Sequence, residues 1–411
     1  MRQEDIVAGL DLGGTKTCAV IASLTGDKRS AGVKVLGVGA ARSSGVRRGI
    51  VRDIEETTNS IARAMQDAER MAGVRALAVH CGIAGEHVHA QTSVGVAAVR
   101  GDEASRDAVE RAHEGAKAIS LGDDRELLHA IPQEYKVDNQ DGIHDPIGMT
   151  GLRLEVEMYL ISVQSTAAQN LRKSVERAGY RVAELVLATL ASSYSVLTNE
   201  EKELGCALVE VGGSSTDIAV FQDGKIRHLA CQPYAGSHVT SDIVQGLGVT
   251  QANAEELKRM WGVAYQPLVD PDEMIDLPST AGQGDRQARR DLLAHIIQER
   301  LDEIFTLAHE SIEGTGFSGQ LPAGVVIAGG VAQTPGIVDL AREVFAMPVR
   351  VGTPDQLISG IVDSVQAPQF SVPVGLALYA ARQRATEDSA YAGAGVDRFF
   401  RPVRRWLQEF F

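Results

Sequence analysis

Short apolar runs alternate with longer amphipathic stretches over the first 85 residues of the chain. The run Ile6-Val7-Ala8 predicts a buried strand, and the amphipathic stretch over 55–71 predicts a helix. A second series starts at Cys206-Ala207-Leu208-Val209 and includes the strand-like run Val325-Val326-Ile327-Ala328. Strands that alternate with helices are typical of α/β domains. The two series therefore predict two such domains.

Two segments interrupt these domains and are predicted to be inserted subdomains. Residues 86–162 combine strand-like runs with one charged helical run, whereas residues 234–311 are rich in helix and carry an acidic, Gly-containing loop at 271–285. Residues 381–395 are small, polar and Gly-containing, which predicts a flexible linker before the last segment, 396–411. The domain boundaries that follow are 1–85 with 163–204 for the first domain and 205–233 with 312–380 for the second.

Two of the predicted strands end in motifs of the same design. Each places an acid near the end of a strand, Asp11 in one and Glu210 in the other, and then turns through glycines and hydroxyl residues. Glycine lets backbone amides approach an anion closely, and successive amides in such a turn form a concave anion site. Two facing turns would clamp a polyphosphate, while the two acids would hold Mg²⁺ through water. The residues of the two turns are Gly13, Gly14, Thr15, Lys16, Gly212, Gly213, Ser214 and Ser215.

A third motif, Gly329-Gly330-Val331, follows the strand-like run at 325–328. In this order the three motifs resemble the two phosphate loops and the adenosine loop of the actin, Hsp70 and sugar-kinase superfamily. The resemblance implies an actin-like ATPase fold, in which two α/β domains flank a cleft that binds ATP and Mg²⁺. The resemblance implies that the residues of the two turns contact the phosphates and that Gly329, Gly330 and Val331 pack against the adenosine.

Composition narrows the class of protein. With 44% hydrophobic and 23% charged residues among 411, the chain has the composition of an ordinary globular protein. A formal net charge of −14 argues against general nucleic-acid binding. The four cysteines lack metal-ligand spacing, and three lie in apolar runs, which favours free thiols in a reducing compartment. The sequence has no apolar run long enough to span a membrane, and its N-terminus lacks a signal-peptide core.

The last residues form an amphipathic pattern. Val403, Trp406, Leu407 and Phe410 fall on one face of a helix, and arginines lie on the opposite face. Arginines attract anionic head groups and aromatic side chains enter the acyl boundary, so this helix is predicted to be an interfacial membrane anchor. Docking of the helix on the protein's own core is the alternative. The predicted membrane-binding residues are Phe399, Phe400, Arg401, Val403, Arg404, Arg405, Trp406, Leu407, Phe410 and Phe411.

Longer motifs match one family within the superfamily. They include Gly49-Ile50-Val51-Arg52-Asp53, His129-Ala130-Ile131-Pro132-Gln133 and Pro233-Tyr234-Ala235-Gly236. With these motifs and the amphipathic tail, the chain resembles FtsA, the bacterial cell-division family of actin homologues that tether FtsZ filaments to the membrane. The resemblance implies a head-to-tail polymer on the cytoplasmic face of the cell membrane at the division site, with other divisome proteins as partners. It also implies three further nucleotide-binding residues: Gly236, Glu255 and Lys258.

The same resemblance makes the second insert the subdomain that binds the FtsZ C-terminal peptide. A basic run over 285–290 precedes a predicted helix, on which Arg300 and Glu303 share a face one turn apart. Arg286, Arg300 and Glu303 are therefore predicted to form a basic, partly apolar site for an acidic tail peptide.

The phosphate loops depart from the usual family pattern at four positions. Glu210 stands where Asp is usual, Ser214 replaces the third glycine, Ser215 stands where threonine is common, and Gly14 replaces a hydroxyl residue. A hydrolytic member also needs a Gln or Glu that positions the attacking water, and the corresponding stretch, 186–194, contains neither. Phosphoryl transfer depends on such positioning, so slow or no hydrolysis is expected and no catalytic residue is assigned. ATP would then act mainly as a structural ligand that favours a polymerising state.

Three alternatives share the fold or its first phosphate loop. ROK-type sugar kinases open with the signature found at 11–16, but their catalytic Asn-Asp pair and zinc motif are absent from this sequence. An Hsp70-like chaperone would need a large β-rich peptide-binding domain after the ATPase unit. Another actin-like membrane adaptor, such as a pilus-assembly protein, differs only in the inserts and the tail.

Overall fold

The computed structural model describes residues 5–26, 31–278 and 286–392. The first domain starts with a β-hairpin that extends into a larger sheet. β2 pairs antiparallel with both β1 and β3, and β6 pairs in parallel with the other edge of β1. These elements are β1 (Ile6–Leu12), β2 (Lys16–Thr25), β3 (Gly32–Arg42), β4 (Val46–Arg47), β5 (Ile50–Val51), α1 (Ile54–Ala72) and β6 (Ala78–Ile83).

Helix α1 covers one face of this sheet. Asp53 caps its N-terminus by accepting a hydrogen bond from the Glu56 amide at 2.9 Å, which satisfies a donor that the helix itself leaves free. Ile61 on its inner face packs in the same core as Leu10 and Ile21 of the strands. Each of these buried side chains contributes about 1.5–3 kcal/mol. The position of α1 therefore follows from a local cap and from the apolar stripe on the helix.

The first insert is a separate antiparallel sheet with one helix. Its elements are β7 (Val88–Ala98), α2 (Arg106–Lys117), β8 (Arg125–Val137), β9 (Gln140–Ile143) and β10 (Arg153–Gln164), and the strand order is β7-β10-β8-β9. Three alanines of α2 pack on Val156 and Leu160 of β10. This sheet therefore has a hydrophobic core of its own.

The chain then returns to the first domain through α3 (Ser165–Arg177), β11 (Arg181–Leu187), α4 (Ala188–Val196) and α5 (Asn199–Leu204). β11 pairs in parallel with β6. Helix α4 is buried on almost every side, because it lies where the two domains meet. Its residues Leu190 and Val196 share a core with Leu208 of the second domain.

The second domain repeats the plan of the first. Its hairpin β12–β13 continues into antiparallel β14, and β17 pairs in parallel with β12, as β6 does with β1. The sheet order is β14-β13-β12-β17-β18. The elements are β12 (Cys206–Val211), β13 (Thr216–Gln222), β14 (Lys225–Gln232), α6 (Gly236–Leu247), α7 (Gln251–Trp261), β15 (Met274–Leu277), β16 (Arg286–Arg289), α8 (Arg290–Glu313), β17 (Val325–Ala328), α9 (Ile337–Phe345) and β18 (Val349–Val351).

The loop predicted at 271–285 is shorter than expected. Residues 274–277 form strand β15, which pairs antiparallel with β16. Ile275 and Leu277 are buried and alternate with the exposed residues Met274 and Asp276, and this two-residue period is the pattern of a strand with one buried face. The acidic and Gly-containing neighbours obscured that short period. Residues 279–285 lie outside the described part of the chain.

The chain ends in elements that belong to the first domain. β19 (Ile358–Gly360) pairs in parallel with β3 and completes the six-stranded order β11-β6-β1-β2-β3-β19. Helix α10 (Ser371–Ala392) packs against α4 and β1. The prediction that residues 312–380 all belong to the second domain is therefore wrong beyond β18. Which sheet a short strand joins depends on distant partners, and the local pattern does not specify them.

The predicted linker is also wrong over most of its length. Residues 381–392 continue α10 instead of leaving it. Alanine, arginine, glutamine and glutamate dominate this stretch, and their high helix propensity outweighs its polarity. The rest of the predicted linker, 393–395, lies outside the described residues.

Gly375 permits the close approach of α10 to α4. A Cβ atom at this position would lie 1.9 Å from the carbonyl oxygen of Ala191. We expect Gly375→Leu to lower the free energy of unfolding by about 1–3 kcal/mol, the usual cost of overpacking. Urea denaturation measures this loss. Gly319→Leu is the matched control because nothing lies near its Cβ position, and equal losses in both variants would contradict the packing assignment.

Candidate nucleotide-binding site

The two glycine turns occupy equivalent positions in the two domains. Loop one (residues 13–16) joins β1 to β2, and loop two (residues 212–215) joins β12 to β13. In loop one the amide of Gly13 donates to the carbonyl of Lys16 at 3.0 Å, and the first and last residues of loop two form the same bond at 3.0 Å. Equal length and equal closure give the two loops the same shape, although only their first two residues are identical.

The two loops face each other and interlock. A Cβ atom on Gly213 would lie 2.5 Å from the Oγ1 atom of Thr15, and one on Gly14 would lie 2.2 Å from the Oγ atom of Ser214. Each loop thus contributes a glycine that accommodates a hydroxyl side chain of the other loop. Loop two and the two glycines of loop one line a single cavity between the domains.

Three carboxylic acids line this cavity: Asp11, Glu210 and Asp217. Glu210 and Asp217 are paired across the β12–β13 hairpin. Burial raises the pKa of Asp11 to about 6, although the nearby Lys16 opposes the shift. Burial raises the pKa of Glu210 to about 8, with a further contribution from the two other carboxylates, and it also raises the pKa of Asp217. A divalent cation would relieve this repulsion.

Glu210 leaves one carboxylate oxygen without a partner. Its Oε1 atom accepts a hydrogen bond from the Ser371 hydroxyl at 2.8 Å, whereas Oε2 is buried and has no hydrogen-bond partner within the described residues. The buried hydroxyl of Ser192 lies beside this carboxyl and favours its charged form, but the two groups are not aligned for a full hydrogen bond. Buried polar atoms without partners are rare and call for an explanation such as an ion or water. Asp11 and Glu210 therefore fit the predicted Mg²⁺ site, where oxygen ligands and retained waters are preferred.

The residues expected to contact the nucleoside lie close to one another and next to loop two. The Gly236 amide donates to the carbonyl of Gly212 at 3.1 Å. The ammonium group of Lys258 donates to the Gly236 carbonyl at 3.2 Å and pairs with Glu255 at 2.6 Å. Val331 of the third motif is close enough that a Cβ atom on Gly236 would lie 2.9 Å from it. The fold thus brings residues from four separate segments to one side of the cleft.

Gly329 and Gly330 of the third motif sit at a tight turn. Gly329 has a φ of 86°, in the region that favours glycine, and a 3₁₀ turn over Gly330–Gln333 follows it. A Cβ atom on Gly329 would also lie 2.4 Å from the carbonyl oxygen of Val211, at the end of β12. The third motif is therefore held directly against the strand that carries Glu210.

A segment that the sequence pattern did not indicate contacts all three motifs. Residues 368–371 lie just before and at the start of α10, far along the chain from both loops. Their position is set by the packing of α10, so no local pattern indicates it. The three contacts are Pro368 O with the Gly329 amide at 3.2 Å, the Phe370 ring centroid with Lys16 Nζ at 4.6 Å, and Ser371 Oγ with Glu210 at 2.8 Å.

Asp217 was also missed as a site residue. It pairs directly with Glu210, and the Ser215 hydroxyl donates to its Oδ2 atom at 3.0 Å. A four-residue loop joined to antiparallel strands fixes this pairing, because opposite residues of a hairpin are set by the turn. Counting outward from loop two would therefore have placed a second acid opposite Glu210.

The three residues predicted to bind a partner peptide do not form one open basic site. Arg300 on α8 forms a two-point ion pair with Asp242 of α6, at 2.5 and 3.1 Å, and also contacts Glu303. Arg286 donates to the carbonyls of residues 247 and 248, at the end of α6. Both arginines therefore hold α6 in place, a role that spacing along α8 alone did not indicate.

The predicted membrane-binding residues, from Phe399 to Phe411, lie outside the described residues. Among the residues that the structure does describe, no helix combines the length and the hydropathy needed to cross a bilayer.

Comparison with known proteins identifies the family. The family model described as "Cell division protein FtsA" matches residues 207–375, and the model described as "SHS2 domain inserted in FTSA" matches residues 85–162. The chain is 40% identical to the cell division protein FtsA of Pseudomonas aeruginosa over 374 residues, which cover 91% of this chain and 89% of that protein. It is 35% identical to FtsA of Escherichia coli strain K12, over 99% of this chain and 98% of that protein. The chain belongs to the FtsA family.

Solved structures support the same fold for this FtsA family member. The PilM-PilN type IV pilus biogenesis complex contains a chain with a TM-score of 0.65 and 16% identity, which covers 91% of this chain and 98% of that one. MreB5 of Spiroplasma citri bound to ADP gives a TM-score of 0.57 with 12% identity, over 94% and 99% of the two chains. At these identities the likeness concerns the fold alone, which is the actin-like ATPase fold.

We expect Mg²⁺-dependent nucleotide binding to strengthen as the pH rises from 7 to 8.5. With a pKa of about 8, Glu210 carries a proton at neutral pH that a cation must displace, whereas at higher pH its carboxylate is already charged. Displacement of one proton weakens binding by about tenfold for each pH unit below that pKa. Titration of Mg²⁺ at fixed concentration of a fluorescent ATP analogue measures the dependence.

Glu210→Gln is the control for this titration, because its side chain has no proton to release. Its Mg²⁺ affinity should be weak and nearly flat over the same pH range. Equally flat Mg²⁺ affinity in the unmodified protein would contradict a Glu210 that must lose a proton to bind the cation.

Proposed function

We propose that this protein is an ATP-binding, actin-like adaptor of the division machinery that anchors FtsZ filaments to the cytoplasmic face of the cell membrane. The observation that supports the nucleotide site is the facing pair of equivalent loops, which surrounds one cavity with backbone amides and three carboxylic acids. Loops one and two would hold the phosphates, and Asp11 and Glu210 would hold Mg²⁺. The nucleoside would lie against Gly236, Glu255, Lys258, Gly329, Gly330 and Val331.

Hydrolysis is proposed to be slow or absent. Residues 186–194 span the end of β11 and most of α4, and they bring no carboxylate or carboxamide to the cavity. Near Glu210 their polar contribution is the hydroxyl of Ser192, which is a far weaker base than a carboxylate. ATP would therefore act as a structural ligand that favours head-to-tail self-association.

ATP with Mg²⁺ should bind the unmodified protein, and its turnover should stay below about 1 per second, the lower end of ordinary enzyme rates. Gly213→Val should abolish binding, because the new side chain would occupy the place of Thr15 and keep the loops apart. Isothermal titration calorimetry and phosphate release measure the two quantities. Gly319→Val is the matched control with open space at its Cβ position. Unchanged affinity in Gly213→Val would exclude loop two from the site.

The second insert is proposed to bind the FtsZ C-terminal peptide. On its α8, Arg300 remains 24% exposed although Asp242 and Glu303 pair with it. A peptide carboxylate can therefore approach a guanidinium group whose direction is already fixed. Pre-organisation of this kind reduces the entropy lost on binding.

Charge reversal at Arg286 and Arg300 together should weaken peptide binding several-fold in a fluorescence-anisotropy titration. Since both arginines also hold α6, Asp242→Asn serves as the matched control: it breaks the ion pair but keeps the cation. Retained affinity in Asp242→Asn with lost affinity in Arg300→Glu supports direct recognition. Unchanged affinity in the double charge reversal would remove both arginines from the peptide site.

The last residues are proposed to carry the protein to the membrane. Attraction must come from Arg398, Arg401, Arg404 and Arg405, because the chain as a whole is acidic and an anionic surface repels it. These charges act within a Debye length of the surface, so binding should weaken with added salt. The apolar face would leave a salt-resistant component of the affinity.

Co-sedimentation with anionic vesicles should be strong for the full chain and lost in a chain that ends at Gly395. Trp406→Glu should lose more binding than Arg404→Ala, since it places a charge on the face that enters the lipid. Sedimentation at low and high salt separates the electrostatic part from the apolar part. If the chain that ends at Gly395 sediments as well as the full chain, the anchor lies elsewhere.

A further inference from the structure

Ser214 occupies the space that a side chain at position 14 would need. A Cβ atom on Gly14 would lie 2.2 Å from the Oγ atom of Ser214 and 2.6 Å from its Cβ atom. Gly14 does not have a positive φ, so its backbone would accept an ordinary L residue. The side chain of Ser214 is therefore the specific obstacle, and only one of the two positions can carry a side chain in this arrangement.

The hydroxyl of Ser214 also links the two domains. It accepts a hydrogen bond at 3.1 Å from the amide of Arg48, which belongs to the first domain. Arg48 and Gly49 form the two-residue turn of the β4–β5 hairpin, both with positive φ, so the direction of this amide is fixed by the turn. A hydroxyl that accepts one hydrogen bond keeps its own proton free to donate.

The groups around Ser214 indicate which ligand atom its hydroxyl would donate to. Ser214 lines the cavity together with Asp11, Glu210 and Gly49. Carboxylates are already present there as acceptors, but loop one has no side chain at position 14 that could donate. A phosphate oxygen between the loops would accept from Ser214 while the amide of Arg48 holds the hydroxyl from behind.

We propose that Ser214 supplies, from loop two, the phosphate-binding hydroxyl that Gly14 does not provide from loop one. The two positions are interchangeable in space, so the residues at 14 and 214 form one exchangeable pair, and the hydroxyl also ties the bound phosphate to the first domain through Arg48. This inference rests on the proposed ATP binding and names the side chain that recognises the phosphate.

The exchange makes a non-additive prediction. Gly14→Ser alone should weaken ATP binding at least tenfold, because two side chains then compete for one space. Ser214→Gly alone should weaken it roughly ten- to hundredfold, the usual effect of losing a hydrogen bond to a charged group. The double variant Gly14→Ser with Ser214→Gly should restore affinity to within about threefold of the unmodified protein, since the serine hydroxyl returns to nearly the same place. Calorimetric titration with ATP and Mg²⁺ measures all four dissociation constants.

Two further variants keep the test independent of folding defects. Ser214→Ala removes the hydroxyl but still fills the space, so it should bind as weakly as Ser214→Gly, and adding Gly14→Ser to it should not restore binding. Gly319→Ser introduces the same residue where nothing obstructs it, and it should bind like the unmodified protein. Circular dichroism of each variant confirms that the fold is retained.

The outcomes separate this inference from the proposed function. If the unmodified protein binds ATP but the two single losses simply add in the double variant, the exchange is wrong and ATP binding stands. Unmodified affinity in Ser214→Ala likewise overturns the role of the hydroxyl. If the unmodified protein does not bind ATP, both the proposed function and this inference fall.

Discussion

Three carboxylic acids held in one cleft are the constraint on which the rest of the structure depends. Asp11 comes from the first domain and Glu210 and Asp217 from the second, so their mutual repulsion acts across the domain boundary. Burial removes water from the charged forms of these acids and so raises their pKa values. A site of this kind is stable either with protons on the acids or with a cation between them. The relative position of the two loops is thereby linked to what the cleft binds.

The 368–371 segment connects that cleft to the end of the chain. It contacts loop one through Phe370 and Lys16, the acid before loop two through Ser371, and the third motif through the carbonyl of Pro368. Helix α10 continues directly from this segment and packs against α4 at the junction of the domains. A displacement of any of the three motifs would therefore alter a contact with residues 368–371. Helix α10, the last helix described, therefore begins at the proposed nucleotide-binding site.

Local features of the sequence predicted the two loops, but contacts between distant segments could not be predicted from it. The loops follow from glycines and hydroxyl residues at strand ends, which act over four residues, and the structure confirms that they meet. Ser371 could not be found, because its contact with Glu210 exists only after α10 packs. The same reason explains why β19 was assigned to the wrong domain and why 381–392 was taken for a linker. Arg300 was expected to face a partner, but Asp242 on another helix pairs with it, and no spacing along α8 reveals that acid.

The central claim is that both loops bind the same phosphates from opposite sides. The most direct measurement is a crystal structure with Mg²⁺ and a non-hydrolysable ATP analogue. We expect the β- and γ-phosphates between residues 13–16 and 212–215, with amides of both loops within hydrogen-bond distance and Mg²⁺ hydrated beside Asp11 and Glu210. Phosphates that contact only one loop, or a nucleotide bound away from this cleft, would contradict it.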